Sequence, residues 1–218
     1  MSAAWEYLNS EESWLPLILP LTIWVGGFLY CYVPSSTERP AFHNWQVLHN
    51  VHNIGGIALA LVSIYFNDDA ILNERVTILW SLGYFSVDLV DCLWRKNVAF
   101  SLHAIFCIIL GIGCYTSPVF RLLRINSKAL LCELSSPFLH LAKKTREPLH
   151  FVVFALVFFL CRVIWLPWFL SDLRHYDLEW YDFRVFFLAA FYSLNLYWFY
   201  KILMIIDKES RGNPKGKH

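Results

Sequence analysis

In this 218-residue chain, the side chains able to do chemistry sit among apolar neighbours. His49, His52 and Asn53 fall at i, i+3 and i+4, a spacing that sets all three on one helical face. Asp88 and Asp91 repeat the i, i+3 spacing on the next apolar segment, and His103 stands near the start of a fourth. Glu133, Ser135 and His140 share a fifth, and Arg162 lies in a sixth. An ionisable group at the centre of a membrane helix costs at least ~2.5 kcal/mol, so such groups normally face an interior and carry function. All of these clusters can meet in one central pocket.

Three chemistries suit them. A carboxylate beside an imidazole orients its tautomer and stabilises the imidazolium, so Asp88 or Asp91 with His103 or His52 can act as base or acyl-accepting nucleophile. His49-x-x-His52 with an Asp is compatible with mixed N/O metal ligation, but a membrane di-iron site needs more histidine boxes than three intramembrane histidines supply, and no metal is expected. The structural alternative is hydrogen bonding between helices that sets the register of a bundle. Pairing of Glu133 by Arg162 or a histidine is expected, because an isolated buried carboxylate is driven to protonate. Pro137 removes a donor and crowds the Glu133 carbonyl four residues earlier, so a kink is expected there, with the freed carbonyl joining the polar cluster.

The elements that position these groups are apolar helices. The chain is 57% apolar and only 16% charged, against roughly 25% charged for a soluble domain, and its mean hydropathy is +0.46. A span needs roughly 20 apolar residues. Seven segments approach this, near 14–33, 45–66, 76–94, 98–116, 119–141, 149–171 and 183–206. Six are strong. The fifth is interrupted by Arg121, Arg124, Lys128, Glu133 and Pro137, and reads either as a span or as a tilted, broken or interfacial helix. Trp5, Trp14, Trp45, Trp94, Trp165, Trp168 and Trp180 fall near segment ends, as interfacial anchors do.

With seven spans and a cytosolic C-terminus, ten Lys and Arg fall on the cytosolic side: Arg39, Arg95, Lys96, Lys143, Lys144, Arg146, Lys208, Arg211, Lys215 and Lys217. Five, namely Arg75, Arg121, Arg124, Lys128 and Arg174, fall opposite, so the positive-inside rule favours that orientation. Net charge of +1 excludes a nucleic-acid binder driven by bulk charge. The six cysteines show no CxxC pair and read as reduced, space-filling side chains. GxSxG, P-loop, GxGxxG and HExxH motifs are missing. Gly26-Gly27 and Gly55-Gly56 read as close helix contacts.

Three stretches carry a family resemblance: Gly83-Tyr84-Phe85-Ser86-Val87-Asp88-Leu89, then His103, then Cys132-Glu133-Leu134-Ser135-Ser136-Pro137-Phe138-Leu139. The last is the most specific, and with Arg162 and the aromatic run after it the pattern resembles the TLC-domain family. That family includes ceramide synthases, translocon-associated TRAM proteins and TLC domain-containing proteins. The resemblance implies an all-α polytopic bundle, a six-helix ring around a central cavity, preceded by one extra helix. Residues 1–38 would hold the N-terminal segment and first helix, 39–207 the TLC domain, and 208–218 a basic cytosolic tail whose end, Lys215-Gly216-Lys217-His218, is similar to a di-lysine retrieval signal. Ceramide synthases carry a paired His-His where this chain reads Leu102-His103, and His and Asp further along where it reads Gly113-Cys114-Tyr115.

By that resemblance the chain sits closer to the TLC domain-containing branch, whose roles lie in membrane lipid composition. The implied function is lipid homeostasis at the endoplasmic reticulum or plasma membrane, by binding of a lipid or acyl chain in the ring, with no cofactor. His103, Asp88 and His52 are the catalytic candidates, and His49, Asn53, Asp91, Glu133, Ser135 and Arg162 the lipid-binding ones. An acyltransferase taking acyl-CoA is the enzymatic alternative, and a trafficking receptor or structural membrane protein the third.

Overall fold

The computed structural model describes residues 15–32, 42–171, 173 and 183–210, and these are helical with short connections and no strand. In chain order the helices are α1 (Leu15–Tyr32), α2 (Phe42–Phe66), α3 (Glu74–Trp94), α4 (Val98–Thr116), α5 (Pro118–Leu122), α6 (Ile125–Leu130), a 3₁₀ turn (Leu131–Ser135), α7 (Ser136–Thr145), α8 (Pro148–Phe158), a π-helical stretch (Phe159–Ile164), α9 (Trp165–Leu170) and α10 (Phe183–Ser210). Among the described residues, five stretches are long and apolar enough to cross a bilayer: Gln46–Phe66, Glu74–Trp94, Val98–Thr116, Pro148–Leu170 and Val185–Lys208. The chain is a polytopic helical bundle. Six strong spans were expected; the first of them has a described apolar stretch, Ile18–Cys31, that is shorter than a span needs. The Trp5, Trp14 and Trp180 anchors, the side chain of Trp45, and the tail from 211 onward lie outside the described residues.

Helix starts follow from local chemistry. Asn73 caps α3 by accepting the Arg75 N–H at 2.9 Å, and Asn97 caps α4 by accepting from Phe100. Pro118 occupies the first turn of α5, where no N–H is needed. Tight packing then holds the bundle: α3 lies along α4 and against α1, while α2 packs on α6. Gly55 of α2 admits the Trp80 ring of α3, and a Cβ there would stand 2.7 Å from that ring. Gly27 and Gly56 likewise face Leu48 and Leu130, whereas Gly26 meets nothing, so three of the four expected glycine contacts form. Outward, Ile54, Tyr65, Leu156 and Phe186 are largely exposed, a surface suited to hydrocarbon rather than water.

The fifth predicted segment is broken into four short pieces, and two of the breaks fall at residues that interrupt its apolar pattern, Arg124 and Pro137. Arg124 takes a left-handed backbone (φ 53°) between α5 and α6 while its guanidinium is held at 2.6 Å by Asp69 and at 3.2 Å by the Leu72 carbonyl. Arg124, and Arg121 through the Tyr115 carbonyl at 2.7 Å, are therefore bonded within the fold. Further on, Pro137 has no N–H to offer the Glu133 carbonyl. The Ser136 N–H takes that carbonyl in a 3₁₀ bond, and the Cys132 carbonyl loses its α-helical donor. This corrects the expected kink in one continuous helix: α7 starts anew at Ser136 with Pro137 in its first turn, and it is the Cys132 carbonyl, accepting from Ser135 Oγ at 3.0 Å and from Arg162, that joins the polar cluster rather than that of Glu133.

Candidate functional site

Arg162 reaches the Cys132 carbonyl, which also accepts from Ser135 Oγ at 3.0 Å. Its Nε donates to the Cys132 carbonyl at 3.2 Å and to Ser135 Oγ at 3.1 Å, its Nη2 to Glu133 Oε1 at 3.0 Å, and its Nη1 to Asn195 Oδ1 at 3.3 Å. Glu133 Oε2 accepts from Ser136 Oγ at 2.7 Å. The guanidinium also lies 5.4 Å from the centre of the Phe158 ring. Arg162 is buried and Glu133 largely so, with side chains 5% and 14% exposed. Direct contact backed by further hydrogen bonds to both partners is what allows an ion pair to persist out of water. Arg162 projects from the π-helical stretch, an irregularity that Pro167 favours by leaving the Val163 carbonyl without a helical donor; Tyr192 Oη supplies one at 3.1 Å.

The imidazoles surround this pair without bonding to it. His52 is fully buried, stacked on Tyr84 with ring centres 3.7 Å apart, and its Nδ1 meets Asn53 Oδ1 at 3.2 Å. Its Nε2 is a buried polar side-chain atom without a hydrogen-bond partner among the described residues. His49 Nδ1 contacts the Tyr84 hydroxyl, and its ring lies 5.9 Å from that of His140, whose Nδ1 meets Asn50 Oδ1 at 3.1 Å. His103 stacks on Phe191 and touches the Cys107 thiol, 3.6 Å from Nε2. Phe85 stands edge-on to both His52 and His103.

Of the expected residues, Glu133, Ser135 and Arg162 form one bonded network, and His49, His52 and Asn53 share the face of α2 that meets Tyr84. Asp88 is buried but makes no hydrogen bond to His52 or His103; the Cys92 thiol faces its carboxylate. Asp91 is held by Arg95 at 2.8 Å, one turn away. A cavity of about 70 Å³ lies between α3, α4, α6, α9 and α10. Its wall includes Phe85, Cys107, Leu110, Cys114, Leu188 and Phe191, and Glu133 reaches it. His52, Asp88 and His103 do not line it, so the single pocket expected for them corresponds to an aromatic layer beside the cavity, with Phe85 between. Six free thiols agree with the reduced reading.

Three participants escaped the sequence reading. Asn195, fully buried, binds Arg162 and donates to the Phe191 carbonyl at 2.9 Å; a lone amide inside an apolar span was the available signal. Tyr84 lies within the stretch 83–89, its tyrosine type alone giving no sign of a site. Glu74 stands just before the third apolar segment, yet it is 1% exposed and accepts from Ser63 Oγ at 2.7 Å, Ser127 Oγ at 2.6 Å and the Ser127 N–H at 2.9 Å.

An all-helical bundle with five apolar spans and a buried ion pair beside an internal cavity defines a polytopic membrane protein. Comparison with family models matches the TLC domain across residues 21–204, and the chain belongs to the TLC-domain family. No curated protein and no solved structure matches it.

Proposed function

We propose that this TLC-domain protein holds a lipid acyl chain inside its helix bundle and thereby acts in membrane lipid homeostasis, with residues 39–207 as the lipid-handling unit and the endoplasmic reticulum as its compartment. The observation that carries the reading is the cavity beside Glu133. A cavity of about 70 Å³ has room for several water-sized groups, each needing on the order of 10–15 Å³. Its lining is aliphatic, aromatic and thiol apart from Ser81, Asn126 and Glu133. Apolar cavities exclude water and accept apolar ligands, so an alkyl segment is the fitting occupant.

Purification of the full chain in detergent followed by mass spectrometry of extracted lipid tests this. The wild type should carry an acyl lipid in fixed stoichiometry, and Cys114→Trp, which fills the cavity, should remain monodisperse and lose it. An empty wild type, or equal lipid in the filled variant, overturns the reading.

Acyl transfer ranks second, because it needs a carboxylate to orient an imidazole and Asp88 bonds to neither His103 nor His52. In the orientation we favour, the C-terminus is cytosolic and the N-terminus opposite. Glycosylation acceptors fused to each end check it, and modification of the C-terminal tag would reverse it.

A further inference from the structure

Two tight turns meet at one end of the bundle, that between α3 and α4 and that between α7 and α8. Lys96 and Arg146 hold left-handed backbone in them (φ 54° and 58°). Lys143 ties the turns together, its Nζ 5.9 Å from the centre of the Phe100 ring in the first turn of α4. Lys96, Lys143, Lys144 and Arg146 are exposed. Among the described residues none of the four has a carboxylate within ion-pair distance. Asp91 holds Arg95 at 2.8 Å, and the exposed Glu147 lies 3.7 Å from His150, so the cations outnumber the carboxylates at this end.

The other end of the bundle differs. Arg75 donates to the Tyr115 hydroxyl at 2.7 Å, Arg121 to the Tyr115 carbonyl at 2.7 Å, and Arg124 is buried against Asp69. Positive charge is turned inward there and outward at the first end. The outward cations adjoin exposed apolar side chains, with Trp94 70%, Val98 71% and Leu149 66% exposed.

We propose that this end is a binding surface for the headgroups of anionic phospholipids of the phosphatidylserine class, with the acyl chains running down past Trp94, Val98 and Leu149. Charge complementarity selects the headgroup. The adjoining apolar side chains select a lipid over a soluble acidic protein, which would leave that surface in water. A juxtamembrane cation attracts an anionic leaflet by about 1 kcal/mol, or about fivefold, when it reaches the headgroups.

The test reconstitutes the full chain in phosphatidylcholine vesicles and measures by electron spin resonance the motionally restricted fraction of spin-labelled phosphatidylserine relative to spin-labelled phosphatidylcholine. The wild type should favour phosphatidylserine several-fold, and high salt should erode the preference. Combined Lys96→Gln, Lys143→Gln, Lys144→Gln and Arg146→Gln should bring the ratio toward unity, while Lys96→Arg, Lys143→Arg and Lys144→Arg together should keep it. A ratio near unity in the wild type, or one unmoved by salt, overturns the proposal without recourse to any variant. An unchanged ratio in the folded Gln variant overturns it as well.

Discussion

Two glutamates, Glu74 and Glu133, each hold a hydrogen-bonded network inside this bundle, and they do so differently. Glu74 accepts three hydrogen bonds from neutral donors of Ser63 and Ser127, with the Arg124 guanidinium at 3.9 Å. It ties α2, α3 and α6 together at a point that the cavity does not reach. Glu133 is bonded directly to a buried guanidinium and borders the cavity, with histidines on the neighbouring elements, of which His52 Nε2 has no hydrogen-bond partner among the described residues. A saturated carboxylate clamps helices, whereas one that combines an ion pair, a cavity wall and incompletely satisfied neighbours has features of a place where a ligand is received.

Breaking the ion pair should have the largest effect. Arg162→Met leaves Glu133 inside the bundle without its cation and removes the donor to Asn195 Oδ1, and should cost about 3–5 kcal/mol, read as a lowered unfolding temperature in detergent. Adding Glu133→Leu should recover most of that loss, since replacing both members of a buried pair by apolar groups is often neutral; failure to recover would mean the pair does more than stabilise.

Glu74→Ala strands the serine donors and should cost about 1–3 kcal/mol while leaving lipid stoichiometry unchanged in the mass-spectrometric assay. Loss of lipid in a folded Glu74→Ala protein would erase the contrast drawn between the two carboxylates. The smallest effect is expected for His103→Ala. Its ring packs on Phe191 and the Cys107 thiol, so the change should cost about 0.6–2 kcal/mol and leave lipid association intact. Turnover of acyl-CoA by the wild type that vanishes in a folded His103→Ala variant would instead restore the acyltransferase reading.

Much was legible before any coordinates. Long apolar runs report membrane helices because every backbone polar group in hydrocarbon must be bonded within its own segment, so composition and length suffice. The pairing of Glu133 with Arg162 was also accessible, since an unpaired charge of either sign at that depth is too costly to leave alone. The breaks in the fifth segment were signalled by Arg124 and Pro137, but not how they resolve. Which carbonyl loses its α-helical donor depends on whether the turn before Pro137 closes as 3₁₀ or α.

The residue types, their helical faces and the membrane character were thus determined by the sequence alone, because they follow from local periodicity and from the cost of polar groups in lipid. Only the tertiary structure decided that Asp88 stands apart from His103 and His52, that Phe85 separates those imidazoles from the cavity, and that Glu74 and Asn195 belong to the buried networks. Those outcomes rest on how far each helix is rotated and shifted against its neighbours. That is set by steric contacts such as Trp80 against Gly55, between residues distant in the chain, whose spacing along it carries no record of which will meet.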